Sequence, residues 1–401
     1  MKSTTVLLAG CCALAAAPLA HAASGISNDE IRIGFITDMS GVYADTDGPG
    51  GTVAIQMAID ELGGTIDGKK ITLVTADHQN RADLAASKAR AWIDQNKIDV
   101  IIGGTNSATT LSMAAVAAEK HVPMISVGAG ATAITNEYCT PYTVHYAYNT
   151  RATAYGVASA VLKQGGKDWF FITADYAFGH ALQQTASDVV THSGGKVMGS
   201  VKVPLSTADF SSYMLQAQSS GAKILGLANS GNDFIASVKA ANDFGVTSSM
   251  RLAGLQVYIS DIHALGLEPT QGMYRTAPWY WDQDEESRKW SQAFMKKHHA
   301  MPTFNQGGDY SAVKTYLKAV AATKTDDGKT IMDWFKSTPI SDFYIKNGKV
   351  RANGLLVHDM FLYEVKKPSE SKGEWDYFKV SATIPGEEAY GPESEAAACK
   401  L

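Results

Sequence analysis

The chain has 401 residues, 45% of them hydrophobic and 19% charged, and a formal net charge of −5. That length is well beyond a single unit of roughly 150 residues and suits two lobes, each with a substantial core. Mild acidity without a basic cluster argues against nucleic acid or an anionic membrane surface as a partner.

Residues 1–22 open with Lys2, continue as a run of Val, Leu and Ala, and end in Ala20-His21-Ala22, a small-x-small cleavage signal. The segment reads as a secretory signal peptide, with the mature chain beginning near Ala23 and residing in the periplasm. A competing reading is Leu8-Ala9-Gly10-Cys11, which is similar to a bacterial lipidation box. It would leave a signal of only ten residues with almost no apolar core. No later apolar run approaches the ~20 residues a spanning helix needs, so a soluble exported product is expected. Cys11 and Cys12 leave with the signal, and Cys139 and Cys399 remain as an even pair in an oxidising compartment. A disulfide pinning the C-terminal tail is the natural reading.

Along the mature chain, strand and helix patterns alternate. IRIGFIT (31–37), ITLVT (71–75), DVIIGG and PMISV read as buried strands, with helices at GTVAIQMAIDELGG, ADLAASKARAWIDQ and after Thr105. On the last of these, Leu111, Ala114, Ala115 and Ala118 share one face. The series restarts after TPYTVHYAYNT (140–150) with strands KDWFFIT, VMGSVKV and AKILGLA and helices between them. Such βαβα order implies parallel sheets covered on both faces. The expected fold is therefore α/β, with two doubly wound parallel-sheet lobes. From residue 272 the pattern changes to long helices and then to antiparallel strands, read as late additions to both lobes.

The stretch 101–135 carries the first chemistry. Thr105-Asn106-Ser107 are N-cap candidates that leave free amides at a helix start, and the small residues of Gly128-Ala129-Gly130-Ala131-Thr132 let a ligand approach the main chain. Both loops follow strand ends, where open α/β sheets bind small molecules. The pair reads as a receiver for a carboxylate; two ordinary turns are the plain alternative. No spacing suits a metal, no cofactor is expected, and the neighbouring His298 and His299 point in different directions on a solvated helix. There is no G-x-S-x-G, H-E-x-x-H or P-loop, and Gly128-x-Gly130 lacks the third glycine of a dinucleotide fingerprint, so no catalytic residue is assigned.

From Ile31 almost to the C-terminus the chain resembles type I periplasmic binding proteins of the branched-chain amino-acid receptor group, the substrate-binding components of ABC importers. The resemblance rests on DMSGVYAD (38–45), DHQNRAD (77–83), the NSA and GAGA turns, ITADYAFGHAL (172–182) and VHDMFLYEVKKP. Within the group it is most similar to the branch of receptors for aromatic and other organic carboxylates. The resemblance implies a three-strand hinge with crossings near Thr143, Tyr274 and Val350, giving one lobe of 23–143 and 275–350 and another of 144–274 and 351–401. It implies carboxylate capture by Ser107, with Asn106 beside it, and by Ala129, Gly130 and Ala131. Phe178 and Tyr176 would lie over the ligand, Asn229 and Ser230 would add a contact, and Tyr43 would lie in a loop over the cleft.

The family's acidic partner for a substrate ammonium falls at Gln256, with Tyr258 close behind and Asp261 as another residue that could reach the cleft. A neutral amide there cannot supply the charge an ammonium wants. An aromatic acid, benzoate-like or cinnamate-like, delivered by a monomer to an ABC permease is the expected reading. An amino-acid receptor of the same class is the runner-up, and an exported hydrolase a more distant one. Plainer roles stand beside several of these: Phe178 and Tyr176 as core, Asp38 and Asp77 as turn caps, and Trp279, Tyr280 and Trp281 as hinge packing.

Overall fold

The computed structural model describes residues 25–401. The expected signal at 1–22, and with it Cys11, lies outside the described residues. The first unit is built from β1 (Glu30–Thr37), α1 (Gly48–Glu61), β2 (Thr65–Ile66), β3 (Lys69–Asp77), α2 (Ala82–Asn96), β4 (Val100–Gly103), α3 (Ser107–Glu119), β5 (Met124–Ser126) and β6 (Thr143–His145). Its sheet has the order β2-β3-β1-β4-β5-β6, with only the β2–β3 pair antiparallel. Apart from β2 this is the doubly wound order 2-1-3-4-5, whose winding reverses between β1 and β4.

The second unit repeats the plan with α4 (Thr150–Lys163), β7 (Asp168–Ala174), α5 (Ala177–His192), β8 (Lys196–Val203), α6 (Ser211–Ser219), β9 (Ile224–Ala228), α7 (Asn232–Asp243), β10 (Arg251–Gly254) and α8 (Ile259–Leu265). Its parallel sheet runs β10-β9-β7-β8, so the reversal falls between β7 and β9. Strands β4 and β9 are buried at every residue, as apolar strands covered on both faces must be.

After β11 (Tyr274–Ala277) come α9 (Glu285–His298), α10 (Phe304–Thr323) and α11 (Gly328–Ser337). Helices α9 and α10 pack on α1, and the hairpin β12 (Lys349–Val350) with β13 (Leu356–Val357) follows. Strands β14 (Met360–Val365) and β15 (Phe378–Ile384) join β11 in an antiparallel sheet against α4, and α12 (Gly386–Tyr390) precedes the tail. The chain thus passes between the two units after β6, after β11 and after β13. Cys139 and Cys399 are disulfide-bonded, closing a sequence separation of 260.

The face that Leu111, Ala114, Ala115 and Ala118 share is not the buried face of α3. In α3 the buried residues are Ser107, Thr109, Thr110, Met113, Ala114, Val116 and Ala117, while Ala115 is exposed and Leu111 and Ala118 are half-buried. Small Ala and Thr side chains give this helix almost no apolar asymmetry to read, and packing against α2 decided its rotation.

Candidate ligand-binding site

The slot lies where strand ends of the two sheets face each other. On the first unit, β4 ends at Gly103 and the chain turns through Asn106, whose φ of 71° is one an Asn tolerates better than most residues. Its Oδ1 accepts from the amides of Ala108 (2.9 Å) and Thr109 (3.3 Å), capping α3. Asn106 is therefore occupied by the helix, which leaves Ser107 as the first-turn group facing the slot.

The turn after β5 is held by its carbonyls. Tyr148 Oη donates to the Gly128 carbonyl (2.9 Å), His145 Nε2 to that of Ala129 (2.7 Å), and the Thr150 amide to that of Gly130 (2.7 Å). Among the described residues, the amides of Ser107, Ala129 and Gly130 have no acceptor, whereas that of Ala131 donates to Ser107 Oγ (3.1 Å). With its acceptors occupied and its donors free, the turn offers N–H groups at a helix N-terminus, which is an anion receiver. Ser107 Oγ, already accepting from Ala131, has its own proton to give. Gly130 is required by space: a Cβ there would lie 2.7 Å from the Tyr148 ring.

Burial keeps His145 neutral, with its pKa lowered to about 4, so Nε2 acts as the donor to Ala129 without bringing a charge. His78 does the same one layer behind. Its Nδ1 accepts from the Asn80 amide (3.1 Å), so Nε2 carries the proton given to the Thr105 carbonyl (3.0 Å), and burial lowers this pKa too.

The second unit supplies rings. Tyr176 and Phe178 follow the end of β7, stacked with centroids 5.9 Å apart, and Tyr258 follows β10. Tyr258 stacks on Phe304 at 4.5 Å, while Asn305 Nδ2 donates to its hydroxyl (3.1 Å). Tyr43, from the loop after β1, bonds to the Tyr176 hydroxyl at 2.5 Å, and the Asn232 amide donates to the Val42 carbonyl (3.1 Å), so the two units touch across the slot. Burial raises the pKa of Tyr43, Tyr148, Tyr176 and Tyr258, so the phenols are neutral donors at physiological pH.

The slot is nearly closed, with about 10 Å³ of free space against the ~300–1,000 Å³ usual for drug-sized ligands, so it would have to widen to admit a ring. Ser107, Ala129, Gly130, Tyr43, Asn106, Tyr176, Phe178, Ser230 and Tyr258, all expected from the sequence, line it together with Thr105, Gly128 and Tyr148. Ala131, Asn229 and Gln256 are buried but do not line it. Asn229 Nδ2 donates to Ser237 Oγ (2.7 Å), and neither polar atom of the Gln256 amide has a partner. Asp261 does not reach the slot either. Its Oδ2 accepts from the Tyr258 amide (2.8 Å) at the start of α8, and burial pushes its pKa up to about 8.

Several other readings fall on the plainer side. Asp38 accepts from the amides of Gly41 (2.7 Å) and Tyr43 (3.0 Å), and Asp77 from Ser40 Oγ (2.6 Å) and the Gln79 amide (2.7 Å), as turn caps do. Trp279 donates to Ser287, while Tyr280 and Trp281 both donate to the Trp375 carbonyl, all away from the slot. Tyr148 was missed because YTVHYAYNT shows no period; only the adjacent start of α4 signals that a chain crossing is near.

A slot between two wound units, receiving at one end and ring-walled at the other, defines a two-lobed solute-binding protein. Residues 30–374 match the periplasmic binding protein family, and the chain belongs to it. Among solved structures, a periplasmic binding protein from Burkholderia mallei is 58% identical, with TM-score 0.90, covering 92% of this chain and 98% of that one. A branched chain amino acid ABC transporter periplasmic ligand-binding protein from Burkholderia xenovorans is 37% identical, with TM-score 0.81, covering 91% and 98%. At 21% identity and TM-score 0.81, covering 90% and 98%, the fold is shared with an ABC transporter solute binding protein from Rhodopseudomonas palustris in complex with 3,4-dihydroxy benzoic acid. The chain is thus a periplasmic solute-binding component of an ABC importer, and not an enzyme.

Proposed function

We propose that the protein captures a small aromatic carboxylate, benzoate-like or cinnamate-like, and presents it to the ABC permease. One observation carries the reading: the residues lining the slot combine free amide donors with Tyr43, Tyr148, Tyr176, Phe178 and Tyr258 and include no Asp or Glu. The carboxylate would sit on the Ala129 and Gly130 amides and the Ser107 hydroxyl, with the ring against Phe178. A hydroxyl substituent would meet Ser230, whose Oγ has no partner, or the phenols. An α-ammonium would lose its hydration there without a carboxylate partner, a penalty of several kcal/mol. The ligand of the Rhodopseudomonas palustris protein is of the proposed class.

The lobes are proposed as 23–143 with 275–350 and 144–274 with 351–401, closing on the ligand by bending at the three passages, in a monomer exported by cleavage near Ala22. The name of the Burkholderia xenovorans relative favours a second reading, a branched-chain amino acid held by its carboxylate on the same turn. Calorimetry separates the two. Binding of 4-hydroxybenzoate without leucine or valine supports the proposal, and tight leucine binding with no response to aromatic acids overturns it.

A further inference from the structure

On the reading of the slot as a carboxylate site, we infer that Asp47 and Asp309 are its positioning pair. They share one proton, and the single charge left on Asp47 acts on the slot through Thr37 and Thr105. Asp47 stands at the N-cap of α1, where an Asp usually accepts from the first-turn amides, yet its side chain caps nothing. Its carboxyl turns inward and is fully buried, as is that of Asp309 on α10.

The two carboxyls flank Gly51, where a Cβ would lie 2.8 Å from Asp47 Oδ1 and 2.6 Å from Asp309 Oδ2, and they are hydrogen-bonded to each other. Among the described residues no other donor reaches Asp47 Oδ1 or either oxygen of Asp309, and neither carboxyl is in an ion pair. Two ionised carboxylates do not stay in contact in a dry interior, so one keeps its proton and gives it to the other. Thr37 Oγ1 accepts from the Thr105 amide (3.2 Å), so its own proton goes to Asp47 Oδ2 (2.6 Å). Asp47 is therefore the acceptor on both sides, and Asp309 is the protonated member. Burial and the Asp47 charge push Asp309 well above the usual carboxylate range.

Thr105 lines the slot, which places one buried negative charge behind a receiver for anions. Through Thr37 that charge orients the peptide leading to Ser107, and it opposes the ligand's own charge. A second proton on the pair should therefore strengthen carboxylate binding, and a bound carboxylate should draw that proton in. The other titratable groups around the pair are Asp38 after β1, His78 at the Thr105 carbonyl, His298 of α9 beside Gly50, and Tyr344 facing Asp309. Burial keeps both histidines and Tyr344 neutral, so none of them cancels the charge.

Calorimetry with 4-hydroxybenzoate from about pH 8 to about pH 4.5 tests the pair; titration of the ligand itself is common to every variant. Near pH 8 the Asp47→Asn/Asp309→Asn protein should bind on the order of tenfold tighter than the wild type. Asp309→Asn still offers a donor to an ionised Asp47 and should stay within about twofold of the wild type. The advantage of the double variant should narrow as pH falls and the wild type takes up its second proton. If the double variant is poorly produced, Asp47→Asn gives the same comparison, since a lone buried Asp309 stays neutral. No gain in the double variant, an equal gain in Asp309→Asn, or a gain independent of pH overturns the inference while the carboxylate site stands. If the wild type binds no aromatic acid, the proposed function falls first and the inference with it.

Discussion

The two faces of the slot are made of different material. The first unit offers main chain: amides of Ala129 and Gly130 fixed because every carbonyl of their turn is occupied by Tyr148, His145 or Thr150. The second offers side chains, Tyr176, Phe178 and Tyr258, at the helix starts after β7 and β10. Backbone donors recognise a charge without regard to what carries it, whereas rings recognise shape and apolar surface. Affinity for any carboxylate should therefore be lost through the first face, and preference among carboxylates changed through the second.

The strongest test of that division is Gly130→Val. Its Cβ would meet the Tyr148 ring at 2.7 Å and its branches would fill the approach to the amides. We expect 4-hydroxybenzoate binding to be abolished in calorimetry, with the circular dichroism spectrum retained; unchanged affinity would place the carboxylate elsewhere.

The faces should also respond to pH in opposite directions. Asp261 beside Tyr258 has its pKa raised from 3.8 to about 8 by burial, so its contribution to stability is complete below the unfolded value and is lost as pH rises toward 8. His145 beside Ala129 is lowered from 6.5 to about 4, so its contribution is complete above 6.5 and is lost as pH falls toward 4. At about 1.4 kcal/mol per tenfold change in proton affinity, the change from 3.8 to about 8 at Asp261 corresponds to roughly 6 kcal/mol and that from 6.5 to about 4 at His145 to roughly 3 kcal/mol. Urea midpoints measured from pH 4 to 9 should show Asp261→Asn removing a decline that runs from about pH 4 to 8 and leaving the slope above pH 8 unchanged.

Ser107→Ala removes one donor to a charged group and should weaken every carboxylate ligand about equally, by roughly 1.5–3 kcal/mol. Phe178→Ala should be selective, costing an aromatic acid about 0.5–1.5 kcal/mol beyond lost contact area and an aliphatic acid less. Calorimetry on benzoate and a short aliphatic acid reads both, and a Ser107→Ala effect confined to one ligand would blur the division. The smallest change is expected from Tyr43→Phe, which removes the interlobe bond to Tyr176 and should raise the dissociation rate severalfold in stopped flow, for about 0.5–1.5 kcal/mol.

The wound units, the small-residue turn after β5 and the disulfide were legible because each has a local cause. Buried parallel strands read as apolar runs, a small-residue turn after a strand permits close approach, and an exported chain with two cysteines pairs them. Less legible was which expected residues share the slot. Gln256 follows a short strand ending in Gly254, yet its amide is buried without lining the slot, and Asp261, three residues beyond Tyr258, turned back to cap that residue's amide. Periodicity places a residue on an element but not the direction of a side chain in an irregular loop.

The residue order by itself determined which groups could receive an anion, since free amides at a strand end and small side chains are properties of a few consecutive positions. Tertiary structure alone decided that these amides stay free. The donors that occupy the neighbouring carbonyls, Tyr148, His145 and Thr150, reach the turn only because β6 pairs beside β5 and the chain then crosses to α4. The ring wall has the same origin: Tyr176, Phe178 and Tyr258 come from helix starts far apart in the chain, at 176–178 and 258, brought together by the sheet order β10-β9-β7. Local propensity cannot encode such distances, because the winding reversal that sets them is a property of the whole sheet.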